Sequence, residues 1–156
     1  MPASERAELI RQYMDGASLI DAALDSITDQ ELDSPEAPGE WSPRQVIHHL
    51  ADSETQSTVR LRRLLAEDDA IIQGYDQDGF AARLHYDRDI APSLALFRAV
   101  RAATGQLLGL MSDEDWRRSG THSESGPYSA EEWLRIYAEH AVEHAAQIRR
   151  GRAAAG

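Results

Sequence analysis

Four stretches of this chain repeat their apolar side chains at the spacing of one helix face, and that repetition limits the fold more than any other feature of the sequence. In the first, Leu9, Ile10, Tyr13, Met14, Ala17, Ile20, Leu24 and Ile27 share one side of a helix expected from Ser4 to about Ile27. The second opens with Ser42 as N-cap, Pro43 at the first helical position and Gln45 at the capping-box position, so its free backbone N–H groups are satisfied at the start. Its stripe runs through Val46, Leu50, Leu61, Leu64 and Leu65, and Ser53 and Ser57 interrupt it. The third is expected from near Pro92 to Met111. The fourth begins at Ser129, with Glu132 three residues on, and runs to about Arg150, where arginines complement the negative helix end.

The connections are polar and rich in turn residues. Thr28 to Glu40 carries Pro35, Pro38 and Gly39 among acids and reads as a loop. Residues 70 to 89 leave room for one short helix near Asp76 to Leu84. Ser112 to Tyr128 reads as a long connection with a single turn at Asp113 to Trp116. No run alternates strongly enough to suggest a strand. The expectation is an all-α four-helix bundle, and 156 residues suit one domain spanning residues 1–156.

Charge and missing residue types narrow the function. Sixteen basic residues against 27 acidic ones give a formal charge of -11, which opposes a nucleic-acid partner, because that binding depends on cationic clusters. No stretch is apolar for long enough to span a bilayer, and the polar N-terminus lacks a signal-peptide pattern, so the expected location is the cytoplasm, with no membrane partner. There is no cysteine, which removes disulfides, thiolate nucleophiles and thiolate metal ligands. Every basic residue is arginine, so Schiff-base catalysis and a Walker-type lysine are absent as well.

The histidines carry the remaining chemistry. On a helical wheel His140 and His144 share an arc with Trp133, Tyr137 and Ile148, and their i, i+4 spacing stacks two imidazoles on one face. His49 lies at the edge of the stripe formed by Val46, Leu50, Ser53 and Ser57, while His48 points nearly opposite. Three neutral imidazoles from two helices can hold one divalent metal with positions left open. His48, His85 and His122 lack such pairing and read as hydrogen-bonded core residues. Trp133 and Tyr137 read as core. Ser53 and Ser57 fit either a polar pocket or close helix packing. His140 to His144 also spell H-x-x-E-H, but such zinc proteases need a further ligand well downstream, and only twelve residues follow His144. Glu143 is therefore expected to be a solvated or ion-paired carboxylate.

Trp41 to Glu54, WSPRQVIHHLADSE, resembles the second-helix signature of the DinB-like superfamily. Leu134 to Ile148, LRIYAEHAVEHAAQI, is similar to its last bundle helix, and AIIQGYDQDGFA to its middle segment. The resemblance spans nearly the whole chain and looks closest to the bacillithiol transferase branch, beside proteins described only as metal-dependent hydrolases. It implies a four-helix bundle, a homodimer, and one nickel- or zinc-type ion per chain held by His49, His140 and His144, the positions the wheels also select.

The resulting expectation is transfer of a low-molecular-weight thiol onto an electrophilic small molecule, with the metal stabilising the thiolate. Hydrolysis of an amide or ester through water activated by the same ion is the alternative. A non-catalytic binding or stress-protection role is the third.

Overall fold

The computed structural model describes residues 1–156. Its four long helices are α1 (Ala3–Leu24), α3 (Pro43–Ala66), α5 (Ala91–Leu108) and α7 (Ala130–Ala154), and they form the four-helix bundle expected from the periodicity. Both α1 and α3 pack against α5 and α7, so α1 and α3 occupy opposite corners, as do α5 and α7. The side-chain bonds fix the directions. Gln12 and Arg152 tie α1 to α7 as parallel neighbours, through the carbonyls of Ala138 and Ala23. His48–Ser93, Glu54–Arg101 and Thr58–Thr104 make α3 and α5 parallel. The bonds Trp133 to Ser57 and His140 to His49 make α7 antiparallel to α3.

Parallel α3 and α5 require the chain between them to return the length of the bundle. The return segment runs down the outside of α3, with the Gln73 carbonyl beside Arg60, Tyr86 beside Asp52 and the Arg88 carbonyl beside His48. It contains β1 (Ile71–Ile72) and α4 (Gln77–Arg83), whose N-cap Asp76 and C-cap Leu84 are the bounds anticipated from the sequence.

The third helix ends at Leu108 and not Met111, and the fourth runs past Arg150 to Ala154; three further local expectations change. The Thr28–Glu40 loop holds a one-turn helix, α2 (Asp29–Leu32), because Thr28 and Glu31 form a reciprocal capping box. The first helix ends at Leu24 and not near Ile27, since Ser26 takes a left-handed backbone (φ 55°). The segment read as one long connection contains the expected turn, as α6 (Asp113–Arg117), followed by a hairpin of β2 (Ser119–His122) and β3 (Gly126–Ser129). β2 pairs antiparallel with β3 and parallel with β1. Strands of two to four residues are too short for alternation to register, and Gly120 shows why the sheet closes: a Cβ there would lie 2.2 Å from the Ala70 carbonyl oxygen. No helix is long and apolar enough to cross a membrane.

The core has two apolar clusters. One gathers Tyr13, Leu61, Leu64, Trp133, Tyr137 and the hairpin's Tyr128; the other gathers Ile20, Val46, Ile47, Leu50, Phe97, Ala141 and Ile148. Trp133 and Tyr137 are core residues, as expected. Between the clusters lies a buried ion pair. Arg101 of α5 donates from Nε to Glu54 of α3 at 3.0 Å, from Nη1 to the Tyr13 carbonyl of α1 at 2.6 Å, and from Nη2 to the Tyr137 carbonyl of α7 at 2.7 Å. The Tyr13 hydroxyl donates to the second oxygen of Glu54. Gly16 makes room for the guanidinium, since a Cβ there would sit 1.9 Å from Arg101 Nη1.

A buried charge left without its partner is costly, so Glu54→Leu should destabilise the protein by about 3–5 kcal/mol. The double change Glu54→Leu with Arg101→Met should recover much of that loss. Urea unfolding of the two variants, compared with wild type, checks both expectations.

Candidate metal centre

The antiparallel contact of α3 with α7 brings His49 to His140 and His144. Nε2 of His140 lies 3.2 Å from Nε2 of His49 and 3.1 Å from Nε2 of His144. The three candidate ligand atoms all fall within 4.8 Å of one another. His49 is buried, and the other two are half-buried at the wall of a pocket. Nitrogen ligands about 2.1 Å from one ion stand about 3.0–3.4 Å apart at octahedral or tetrahedral angles, which matches the two contacts of His140.

The donor chemistry agrees. Burial holds all three imidazoles below their ordinary value, and neighbouring histidines add to it at two of them: His49 falls to about 3, His140 lies well below normal, and His144 is lowered by burial against the opposing effect of Gln147 and Glu143. All three are therefore neutral at pH 7 and able to donate a lone pair. His140 Nε2 touches two other Nε2 atoms, and one proton on it cannot make linear hydrogen bonds to both. Nδ1 of His49 and Nδ1 of His140 are buried without hydrogen-bond partners, whereas His144 Nδ1 lies 2.8 Å from Gln147 Oε1. An all-imidazole set suits zinc, nickel, copper or iron better than magnesium or calcium, which prefer oxygen ligands.

The pocket in front of the triad has a volume of about 390 Å³. Glu40, Trp41, Gln77, Asp78 and Gln147 share its lining with the histidines, and Trp41 is its sole apolar wall. The Trp41 ring leans on His49, with centroids 4.8 Å apart. Gln77 and Asp78 reach the rim because the return segment carries α4 along α3.

The other histidines separate as follows. His48 is buried on the far side of α3, where its Nε2 donates to the Arg88 carbonyl (3.1 Å) and its Nδ1 accepts from the Ser93 hydroxyl (2.8 Å). His122 is buried, and its Nδ1 accepts from the Glu124 amide. His85 departs from the core expectation: it is exposed, with φ 53°, at the turn that ends α4. Glu143 is exposed and does not line the triad's pocket, in keeping with a chance H-x-x-E-H match. Ser53 and Ser57 are buried, and Ser57 accepts the Trp133 indole N–H on its carbonyl. Sequence reasoning missed Gln147, Glu40 and Asp78. Gln147 had a signal, three residues after His144 on the same helix, but the two acids reach the pocket only through tertiary folding.

Residues 12–148 match the family model described as the DinB superfamily. A protein of Oceanobacillus iheyensis named "Putative metal-dependent hydrolase" is 34% identical over 141 residues, covering 90% of this chain and 82% of its own length. YfiT of Bacillus subtilis, described in the same words, is 32% identical over 128 residues, covering 81% and 72%. The solved structure of YfiT, described as "a probable metal-dependent hydrolase with an unusual four-helix bundle topology", superposes with a TM-score of 0.89 at 28% identity, over 95% of this chain and 86% of that one.

The adjacent histidines His48 and His49 should behave differently when replaced. His48→Leu removes a donor and an acceptor from buried partners and should cost about 1–3 kcal/mol of stability. His49→Leu replaces a ring whose Nδ1 has no partner, and it should cost the metal-free protein less. Urea midpoints measured in the presence of a chelator decide this.

Proposed function

The chain belongs to the DinB superfamily, and from that membership and the histidine geometry we propose that it is a metal-dependent hydrolase of a small amide or ester. The observation that carries the proposal is the convergence of His49, His140 and His144 at the wall of an open pocket. In this reading the triad holds one divalent transition metal, zinc or nickel, which supplies a Lewis acid able to bring the pKa of water down to about 7. The names of its relatives support the same chemistry.

The remaining steps fall to the chain's own groups. The three imidazoles are all neutral, so they bring no positive charge of their own to the centre. Glu40 and Asp78 are the carboxylates in the pocket and can accept the proton that an attacking water gives up. Trp41 offers a flat apolar wall against which a substrate can lie, and Gln77 and Gln147 offer amide hydrogen bonds.

Thiol transfer is the second reading. It is favoured by the imidazole-only donor set, since the borderline ions such a set selects also accept sulfur. With no cysteine in the chain, the thiol would come from solution. The homodimer implied by the family resemblance is part of the same proposal, and light scattering at micromolar concentration checks it.

Alanine replacement of His49, His140 or His144 should remove most of about one bound metal per chain, while His48→Ala should retain it, as read by elemental analysis. The metal-loaded protein should cleave members of an ester and amide panel, and His144→Ala should not. Conjugation of bacillithiol, mycothiol, glutathione or cysteine to an electrophile, without cleavage of any ester or amide, would replace hydrolysis with transfer. A loaded protein that does neither would move the assignment to a binding role.

A further inference from the structure

The three histidines differ in what holds them. Nδ1 of His49 and of His140 is buried and has no partner, whereas His144 Nδ1 is 2.8 Å from Oε1 of Gln147, one helical turn further along α7. A carboxamide oxygen can only accept, so the proton of this bond sits on His144 Nδ1. The Nε2 of the same ring, 3.1 Å from His140 Nε2, then carries a lone pair. Gln147 also lines the pocket, so its carboxamide spans the distance between the ligand ring and the space a substrate would fill.

We propose that Gln147 is the positioning residue of this centre: its carboxamide oxygen locks His144 into the tautomer and ring orientation that turn Nε2 toward His49 and His140. This rests on the metal reading of the triad given above. The chemistry is that by which a group behind a metal-bound histidine raises ligand basicity and fixes ring orientation. Because the other two rings lack any such acceptor, the orientation of the centre depends on Gln147 more than on any other residue behind the ligands. His49 is held instead by the Trp41 ring and His140 by the edge of Tyr137, at centroid distances of 4.8 and 6.0 Å, contacts that restrict rotation without selecting a tautomer.

The test uses the 156-residue chain with Gln147→Met, Gln147→Glu and His144→Ala. Zinc affinity is measured by competition with a chromophoric chelator. The His144 tautomer in the metal-free protein is read from long-range ¹H–¹⁵N NMR correlations at a pH where the ring is neutral. Methionine keeps the length of the side chain but accepts no strong hydrogen bond, so Gln147→Met should weaken zinc binding by about 10–100-fold and move His144 away from the Nδ1–H tautomer. Gln147→Glu should restore both readouts. Thermal unfolding of the metal-free variants should match wild type, which separates positioning from a structural role. Wild-type zinc affinity and an unchanged tautomer in Gln147→Met, while His144→Ala loses zinc, would overturn the role of Gln147 and leave the triad standing. Retention of zinc by His144→Ala would overturn the triad reading itself.

Discussion

One guanidinium joins all four corners of this bundle. Arg101 projects from α5 and bonds the Glu54 carboxylate of α3 and main-chain carbonyls of α1 and α7, with its carbon 4.2 Å from the centre of the Tyr13 ring. A buried ion pair is poor evidence for net stability, because desolvating both charges offsets most of their attraction. Its effect here is on register. Arg101 and Glu54 are 2% and 0% exposed, so sliding any one helix by a residue would leave a buried charge or carbonyl bond unmade. Apolar layers alone tolerate such slips far better. The requirement extends to Gly16, where any side chain would displace the guanidinium from the backbone of α1.

Register matters because the candidate metal centre is assembled across a helix pair. His49 on α3 meets His140 and His144 on α7 at the same contact that, two turns further along α3, sets Trp133 against the Ser57 carbonyl. Displacing α7 by one residue would rotate its face by about 100° and shift it by about 1.5 Å, enough to separate nitrogens that stand 3.1–3.2 Å apart. The parallel packing of α3 and α5 has a second consequence. It forces the return segment along α3, and this brings Gln77 and Asp78 to a pocket whose histidines lie far from them in sequence.

The four long helices and the histidine triad were readable because both depend on short-range spacing. Caps such as Ser42–Gln45 and Ser129–Glu132 mark helix starts locally, and the i, i+4 pair on α7 needs no knowledge of the rest of the fold. His49 was readable as core-facing for the same reason. The hairpin was not, because its strands are short and β1 joins through a parallel pairing with residues about fifty positions away. The buried pair left a trace in the sequence, since Arg101 and Thr104 fall within an apolar stripe on α5, but which acid answers Arg101 is decided by the diagonal topology. Glu40 and Asp78 gave no local sign at all, as exposed acids in loops and first turns are common and only the pocket sets these two apart.

The same burial that organises the core also prepares the ligands. Water exclusion around α3 and α7 makes protonated imidazole unfavourable at His49, His140 and His144, and the positive charge of Arg101 reinforces this at His140. Arg101 alone would also oppose a divalent cation nearby. Glu54, 3.0 Å from the guanidinium, opposes that charge at close range. The lone pairs of the triad therefore converge where protonated imidazole is disfavoured. A metal ion meets that arrangement better than any distribution of protons can, since three converging nitrogen lone pairs can all be satisfied by one central charge.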